Sequence, residues 1–264
     1  MTQGLGRSAD REGRNFRRLF TLLVVALMSV GLAQPAATGQ LKAPSVESVS
    51  LLKSTKPIRI GVVGDSLAVD LWYGMNGLLR GKDNIEVVKF TRSATGLIRD
   101  DVYDWQGELR AFLAQNRLDV ITVILGGNDR QSVHVGGKRL DRFTKPWIAM
   151  YEQRVSVFMD ALAKTKARVY WLGLPVVSSD RMTKDYRVLN GVYRRQADKH
   201  GFTYVSTWET FADASGRYSS FGPNIQGVKR QLRKTDGLHF TIDGQMRLAD
   251  TVAKAINRDL APVN

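Results

Sequence analysis

The sequence predicts an α/β fold three layers deep, a sandwich with helices on both faces of a parallel sheet of about five strands. Three observations predict it. Short runs rich in Val, Ile and Leu recur without polar alternation, the pattern of strands buried on both faces. Each run is followed by a segment of helical length, so consecutive strands are joined by crossovers, which are right-handed and leave the strands parallel. The chain has 264 residues, 43% hydrophobic and 9% aromatic, enough for one full-sized core and too few for two.

Taken in order, the first strand is IRIGVVG at 58–64, and a helix over 68–80 follows it. IEVVKF at 85–90 is the second strand, followed by a helix over 104–116. DVITVILG at 119–126 is the third, and the helix over 147–164 comes after a stretch, 127–146, with no regular period. ARVYWLGLP at 167–175 and FTYVS at 202–206 are the fourth and fifth, separated by a helix over 183–200. The last helix, 242–258, shows its own start: Thr241 can cap it, and Met246, Ala249, Val252, Ala253 and Ile256 then share one face. Residues 207–238, with Trp208, Phe211, Tyr218 and Phe221, have no clear period, and a connection that long inside one domain is usually a functional loop or lid. Both irregular stretches follow strands, on the edge where open parallel sheets bind ligands.

The N-terminus stands apart from this pattern. Residues 1–18 are polar and carry Arg7, Arg11, Arg14, Arg17 and Arg18, and LFTLLVVALMSVGLA at 19–33 is an unbroken apolar run. A spanning helix needs roughly 20 residues. The run is shorter, and Gly31 and Ala33 are small residues at the positions a signal peptidase reads. The expectation is an export signal over 1–33, an extended tether over 34–56 and one domain over 57–264, in a periplasmic or secreted protein; an uncleaved membrane anchor is the alternative. Arg17 and Arg18 ahead of Phe20 resemble a twin-arginine signal, and a basic leader on a Sec signal accounts for them equally well.

The formal charge is +14, which attracts acidic partners over long range. For an exported protein these are anionic glycans or lipid head groups, and association with an anionic envelope surface is expected. No run of five or six basic residues and no nucleic-acid motif is present, so nucleic acid is not an expected partner. The absence of cysteine rules out a thiol nucleophile and a thiolate metal site.

Chemistry concentrates at the strand ends. The first strand runs into Gly64, Asp65 and Ser66; SATG with Gly96 follows the second; GGND with Asn128 follows the third; and TDGLHF with Asp236 and His239 precedes the last helix. Carboxyl ends of neighbouring parallel strands share one edge, so these residues can converge. A serine hydroxyl becomes a nucleophile only beside an imidazole that takes its proton, itself oriented by a third group. Asp236 and His239, three residues apart, can supply that pair locally, whereas Asp65 should point away from its neighbour Ser66. The amides of Ser66 and Gly96 with the side-chain amide of Asn128 would form an oxyanion hole. Arg130 and Gln131 are candidate substrate contacts, and Trp208 is the best candidate platform for a sugar ring. Each motif alone reads equally as a turn or a cap. Their order along successive strand ends points to one site.

Other chemistries fit less well. Ala68 breaks the Gly-x-Ser-x-Gly elbow, and no Gly-rich nucleotide loop follows the first strand. Asp236 and His239 lack further metal ligands, because His134 and His200 have no ligand-type spacing, so neither a metal nor a cofactor is expected.

The four blocks GDSLA, SATGL, GGND and DGLHFT resemble, in type and order, those of the SGNH (GDSL-type) hydrolases. The similarity runs from about residue 58 to 258. A little-characterised bacterial branch is matched more narrowly by RDDVYDW (99–105), GGNDRQ (126–131), WLGLPVV (171–177) and DGLHFTIDG (236–244). TRSATG departs from the family's usual second block. The resemblance implies a flavodoxin-like sandwich, Ser66 as nucleophile, His239 as general base, Asp236 as its orienting partner, and Ser66, Gly96 and Asn128 as the oxyanion hole. The expected function is that of an exported serine esterase or acyltransferase acting on small O-acyl groups of envelope or extracellular glycans through an acyl-enzyme. A lipid or thioester hydrolase, and a glycan-binding module on the same fold, are the alternatives.

Overall fold

The computed structural model describes residues 56–260, so the predicted export signal and all but the last residue of the tether lie outside the described residues. One sheet holds β1 (Ile58–Gly64), β2 (Ile85–Thr91), β3 (Val120–Ile124), β6 (Arg168–Leu172) and β7 (Thr203–Val205), all parallel, in the order β2, β1, β3, β6, β7. This is the flavodoxin-like order. The two-faced burial of β1 and β3 explains their unbroken apolar runs: Ile60, Val62, Val63, Val123 and Ile124 are all fully buried.

The helices are α1 (Ser66–Leu78), α2 (Trp105–Gln115), α3 (Lys145–Ala163), α4 (Asp180–His200), the short α5 (Trp208–Phe211) and α6 (Ile242–Leu260). Helix α1 packs along α6, while α2, α3 and α4 pack in succession. Right-handed crossovers put the first pair on one face of the sheet and the other three on the opposite face. The core on that side is aromatic, with Trp105, Phe158, Trp171, Tyr193, Tyr151 and Trp147 buried and linked ring to ring.

The strand order reverses at β1: the chain steps outward to β2, then crosses back to β3 on the other side. The register brings Gly64 level with Thr91 on one side and Ile124 on the other, so three loops leave the sheet at one height. That edge is the switch point at which open α/β sheets hold their ligands. Gly64 has φ +142, and a β-carbon there would lie 1.9 Å from the Ile124 carbonyl oxygen. Only glycine lets the two strands close at this point.

Several predicted elements differ at their ends. Helix α1 starts at Ser66 rather than 68, because the Asp65 carboxylate caps it by accepting from the Leu67 amide. The third strand stops at Ile124, where Gly126 turns with φ +105. The fourth stops at Leu172 because Asn190 on α4 takes over the backbone of Leu174, accepting from its N–H (2.7 Å) and donating to its C=O (2.8 Å). Thr241 caps α6 as expected, its hydroxyl accepting from the Gly244 amide. The stretches read as irregular contain two small antiparallel hairpins, β4 (Val133–Val135) with β5 (Lys138–Leu140) and β8 (Phe221–Pro223) with β9 (Lys229–Gln231).

Candidate active site

Ser66 is the first residue of α1, half-buried at the carboxyl edge of the sheet. Its Oγ lies 2.8 Å from His239 Nε2, and His239 Nδ1 lies 2.8 Å from Asp236 Oδ2. The tautomer that satisfies both contacts carries its proton on Nδ1, donates it to Asp236 and leaves Nε2 free to accept from the serine. Asp236 serves twice. Its Oδ1 accepts from the amides of Leu238 (2.8 Å) and His239 (2.9 Å), folding the loop that aims the imidazole, while Oδ2 holds the ring. Gly237 sits inside this turn at φ +69, where a β-carbon would come within 1.9 Å of Ser178 Oγ.

Burial pushes the Asp236 carboxyl up, but the hydrogen bonds from the His239 ring and the two amides outweigh it and hold the group at about 2, below its ordinary 3.8. A carboxyl lowered on folding contributes stability above its ordinary value, and that contribution is lost as pH falls from 3.8 through about 2. Thermal melts of wild type and Asp236→Asn should therefore converge as the pH is lowered across that window. A gap that stays constant would show that the carboxylate carries no such linkage.

The predicted oxyanion donors sit on the two adjoining loops. Asn128 Nδ2 donates one proton to the Thr95 carbonyl (2.9 Å), which fixes the amide and leaves its second proton available. Gly96 is required for an internal reason: a β-carbon there would lie 2.0 Å from Asp129 Oδ1. Asp129 is fully buried, accepting from the amides of Leu97 (2.8 Å) and Ile98 (2.9 Å) and from the Tyr151 hydroxyl (2.7 Å). It therefore fastens the Gly96 loop to the Asn128 loop. Burial pushes its carboxyl up, against the pull of those donors.

Asp65 fastens the same edge from below. Oδ1 accepts from Leu67, and Oδ2 accepts from Gly126 (3.1 Å) and Gly127 (2.9 Å), so one buried carboxylate ties the serine helix to the Asn128 loop. Burial pushes it up to about 6 in spite of those three amides. Its side chain is committed to these amides, leaving the imidazole to Asp236.

The predicted substrate contacts divide. Gln131 lines a small cleft of about 160 Å³ together with Gly96, Asn128, Arg99 and Val102. Arg130 is instead bound to the buried Asp185, 3.0 Å from its Oδ2, an oxygen that Arg142 also reaches at 3.3 Å. Trp208 departs from the sugar-platform expectation: it is half-buried, the Arg187 guanidinium lies 4.6 Å from its ring centre, and its indole N–H donates to the Gly216 carbonyl. These contacts make it a packing residue of α5. A larger cavity, about 970 Å³, lies at the opposite, amino edge of the sheet and is lined by Ile58, Leu113, Arg117, Lys164 and Arg168 among others, with no serine or histidine.

Sequence reasoning missed Asp129 and Asp70, and it gave Asp65 no role. Asp70, 3% exposed, accepts from the Phe240 amide (3.0 Å) and Gln245 Nε2 (2.7 Å). The signal for it is a carboxylate one helical turn after Ser66, on the face that Leu67 and Leu71 bury.

Ser66, His239 and Asp236 form one continuous hydrogen-bonded chain, beside the two loops that carry Gly96 and Asn128. That arrangement is capable of acyl transfer. A search of curated proteins returns no match. Among solved structures, the chain is similar to an acetylxylan esterase, Axe2, from Geobacillus stearothermophilus (18% identity, 77% of this chain and 96% of that one, TM-score 0.54). It is similar also to the esterase EstA from Pseudoalteromonas sp. (13%, 76% and 98%, 0.52) and to a GDSL-like lipase from Bacteroides thetaiotaomicron (12%, 84% and 98%, 0.52). At these identities the likeness is one of fold. Residues 59–255 match the family model described as "Protein of unknown function (DUF459)". The chain therefore belongs to the DUF459 family, and its fold is that of the GDSL-type, or SGNH, hydrolases.

Proposed function

We propose that the protein is an exported serine hydrolase or acyltransferase that acts on small O-acyl groups of envelope or extracellular glycans through an acyl-enzyme on Ser66. The observation that carries this reading is the chain Ser66 Oγ, His239, Asp236, with both links at 2.8 Å. Ser66 Oγ attacks the acyl carbon as its proton passes to His239 Nε2, and the carbonyl oxygen becomes an oxyanion facing the amides of Ser66 and Gly96 and the second amide proton of Asn128. Each such donor is worth on the order of 10²–10³ in rate. Collapse breaks the ester C–O bond, and the imidazolium returns the proton to the departing sugar oxygen. Water hydrolyses the acyl-enzyme, or a sugar hydroxyl takes the acyl group, by the reverse sequence of proton transfers.

An acidic glycan is favoured by the basic balance of the chain, a formal charge of +14 with residues 1–33 included. A sugar ester also agrees with the likeness to a protein described as an acetylxylan esterase. Export rests on the arginine-led apolar run at 19–33, by a Sec or twin-arginine route; changing Arg17 and Arg18 to Lys should abolish export only if the route is twin-arginine. The likeness to a GDSL-like lipase supports the second reading, a lipid or thioester hydrolase.

The two readings separate on acyl length. With p-nitrophenyl esters the first predicts kcat/KM for acetyl at least about tenfold above that for decanoyl, because each extra methylene that a pocket fitted to a small acyl group cannot seat costs about 1 kcal/mol or more. A preference for decanoyl would favour the lipid reading. Polysaccharide binding without turnover of any ester would favour a glycan-binding module.

A further inference from the structure

Two buried charges lie on either side of the loop that carries His239. Asp70, on α1 one turn after Ser66, holds the Phe240 amide on Oδ2 (3.0 Å) and Gln245 Nε2 on Oδ1 (2.7 Å). Arg233 is fully buried, its guanidinium 4.2 Å from the Phe240 ring centre and 5.1 Å from that of Phe211. Its Nη1 donates to the Leu238 carbonyl (2.7 Å) and its Nη2 to the Val176 carbonyl beyond β6, while Nε has no hydrogen-bond partner among the described residues. Burial lowers the guanidinium to about 10, which still leaves it charged at neutral pH.

Burying a cation with an unmatched donor is unfavourable, so an arrangement that keeps it needs a return elsewhere. What these side chains grip is specific. The anion takes the amide just after His239, and the cation takes the carbonyl just before it. Through Asp70 the histidine's backbone is tied to the helix that begins at Ser66, and through Arg233 to Val176 in the segment that follows β6. The Ser66 Oγ to His239 Nε2 separation therefore depends on these two grips as well as on Asp236, which orients the ring but belongs to the same loop.

We propose that Asp70 and Arg233 are positioning residues that set the register of His239 against Ser66. The proposal rests on reading Ser66 and His239 as the catalytic pair. Loss of either grip lets the loop drift, and a shift of about 1 Å in a reacting group costs up to about 10² in rate.

The test uses Asp70→Asn and Arg233→Lys in the full chain, beside Ser66→Ala and His239→Ala. Asp70→Asn turns one acceptor into a donor, and Arg233→Lys keeps the charge but cannot bridge two carbonyls. Each is expected to lower kcat for a short acyl ester about 10- to 100-fold with KM within twofold. In the His239→Ala background, Asp70→Asn should then change the residual rate by less than twofold, because nothing is left for it to position. Folded variants with wild-type kcat, or a loss that persists undiminished in the His239→Ala background, would overturn the proposal while leaving the catalytic pair intact. Activity that survives Ser66→Ala would overturn the reading beneath it and the proposal with it. Hydrogen exchange on the wild-type protein needs no variant: the Phe240 amide should be among the protected ones, and free exchange would overturn the Asp70 grip.

Discussion

Ser66→Ala should lower kcat/KM for a short acyl ester by about 10⁴- to 10⁶-fold, leaving the small rate that oxyanion donors and binding sustain alone. The size of the loss follows from the geometry. In the proposed mechanism the hydroxyl is the atom that forms the covalent bond, and it lies 2.8 Å from the imidazole nitrogen that takes its proton. The fold should not notice. Ser66 is half-buried, its side-chain hydrogen bond among the described residues is the one to His239, and the helix cap belongs to Asp65. Equal melting temperatures with a collapsed rate are the expected pair of results. Equal rates would mean that the triad is not the site of turnover.

Asp129→Ala should destabilise the fold by about 3 kcal/mol or more, since each buried donor left without an acceptor costs about 1–3 kcal/mol, and should impair the activity of whatever remains folded. Two amides and a tyrosine hydroxyl lose their acceptor at once: those of Leu97 and Ile98, and Tyr151, which also hydrogen-bonds Tyr193 at 2.8 Å. The loops carrying Gly96 and Asn128 then lose the group that joins them. Urea unfolding at neutral pH measures the first effect. A change below about 1 kcal/mol, within the range of surface substitutions, would show that the carboxylate is not the link described.

The sheet was legible because its central strands are buried on both faces, so IRIGVVG and VITVI carry their position in composition alone. The candidate set of Ser66, Asp236 and His239 was legible because Asp236 and His239 are three residues apart and need only a turn to meet, while Ser66 stands where a strand becomes a helix. What escaped is longer-ranged. Asp129 reads as a turn residue within GGND, and its role depends on amides 31 and 32 residues away. Gly96 is read from the sequence as an oxyanion donor, and the atom its missing side chain makes room for is Asp129's own oxygen. Strands of three residues, as in both hairpins, hold too few positions to show a period. Trp208 is offered as a sugar platform by its place at the start of an irregular stretch, and what the sequence does not show is that Arg187 on α4 stacks on it.

The most direct test of a nucleophilic Ser66 is covalent. Incubating the protein with a fluorophosphonate and mapping the adduct by mass spectrometry should give one modified residue, Ser66. The adduct should be absent from Ser66→Ala and form far more slowly in His239→Ala, where no base takes the proton. No adduct on the folded wild-type protein, or an adduct on another residue with Ser66 untouched, would contradict the account.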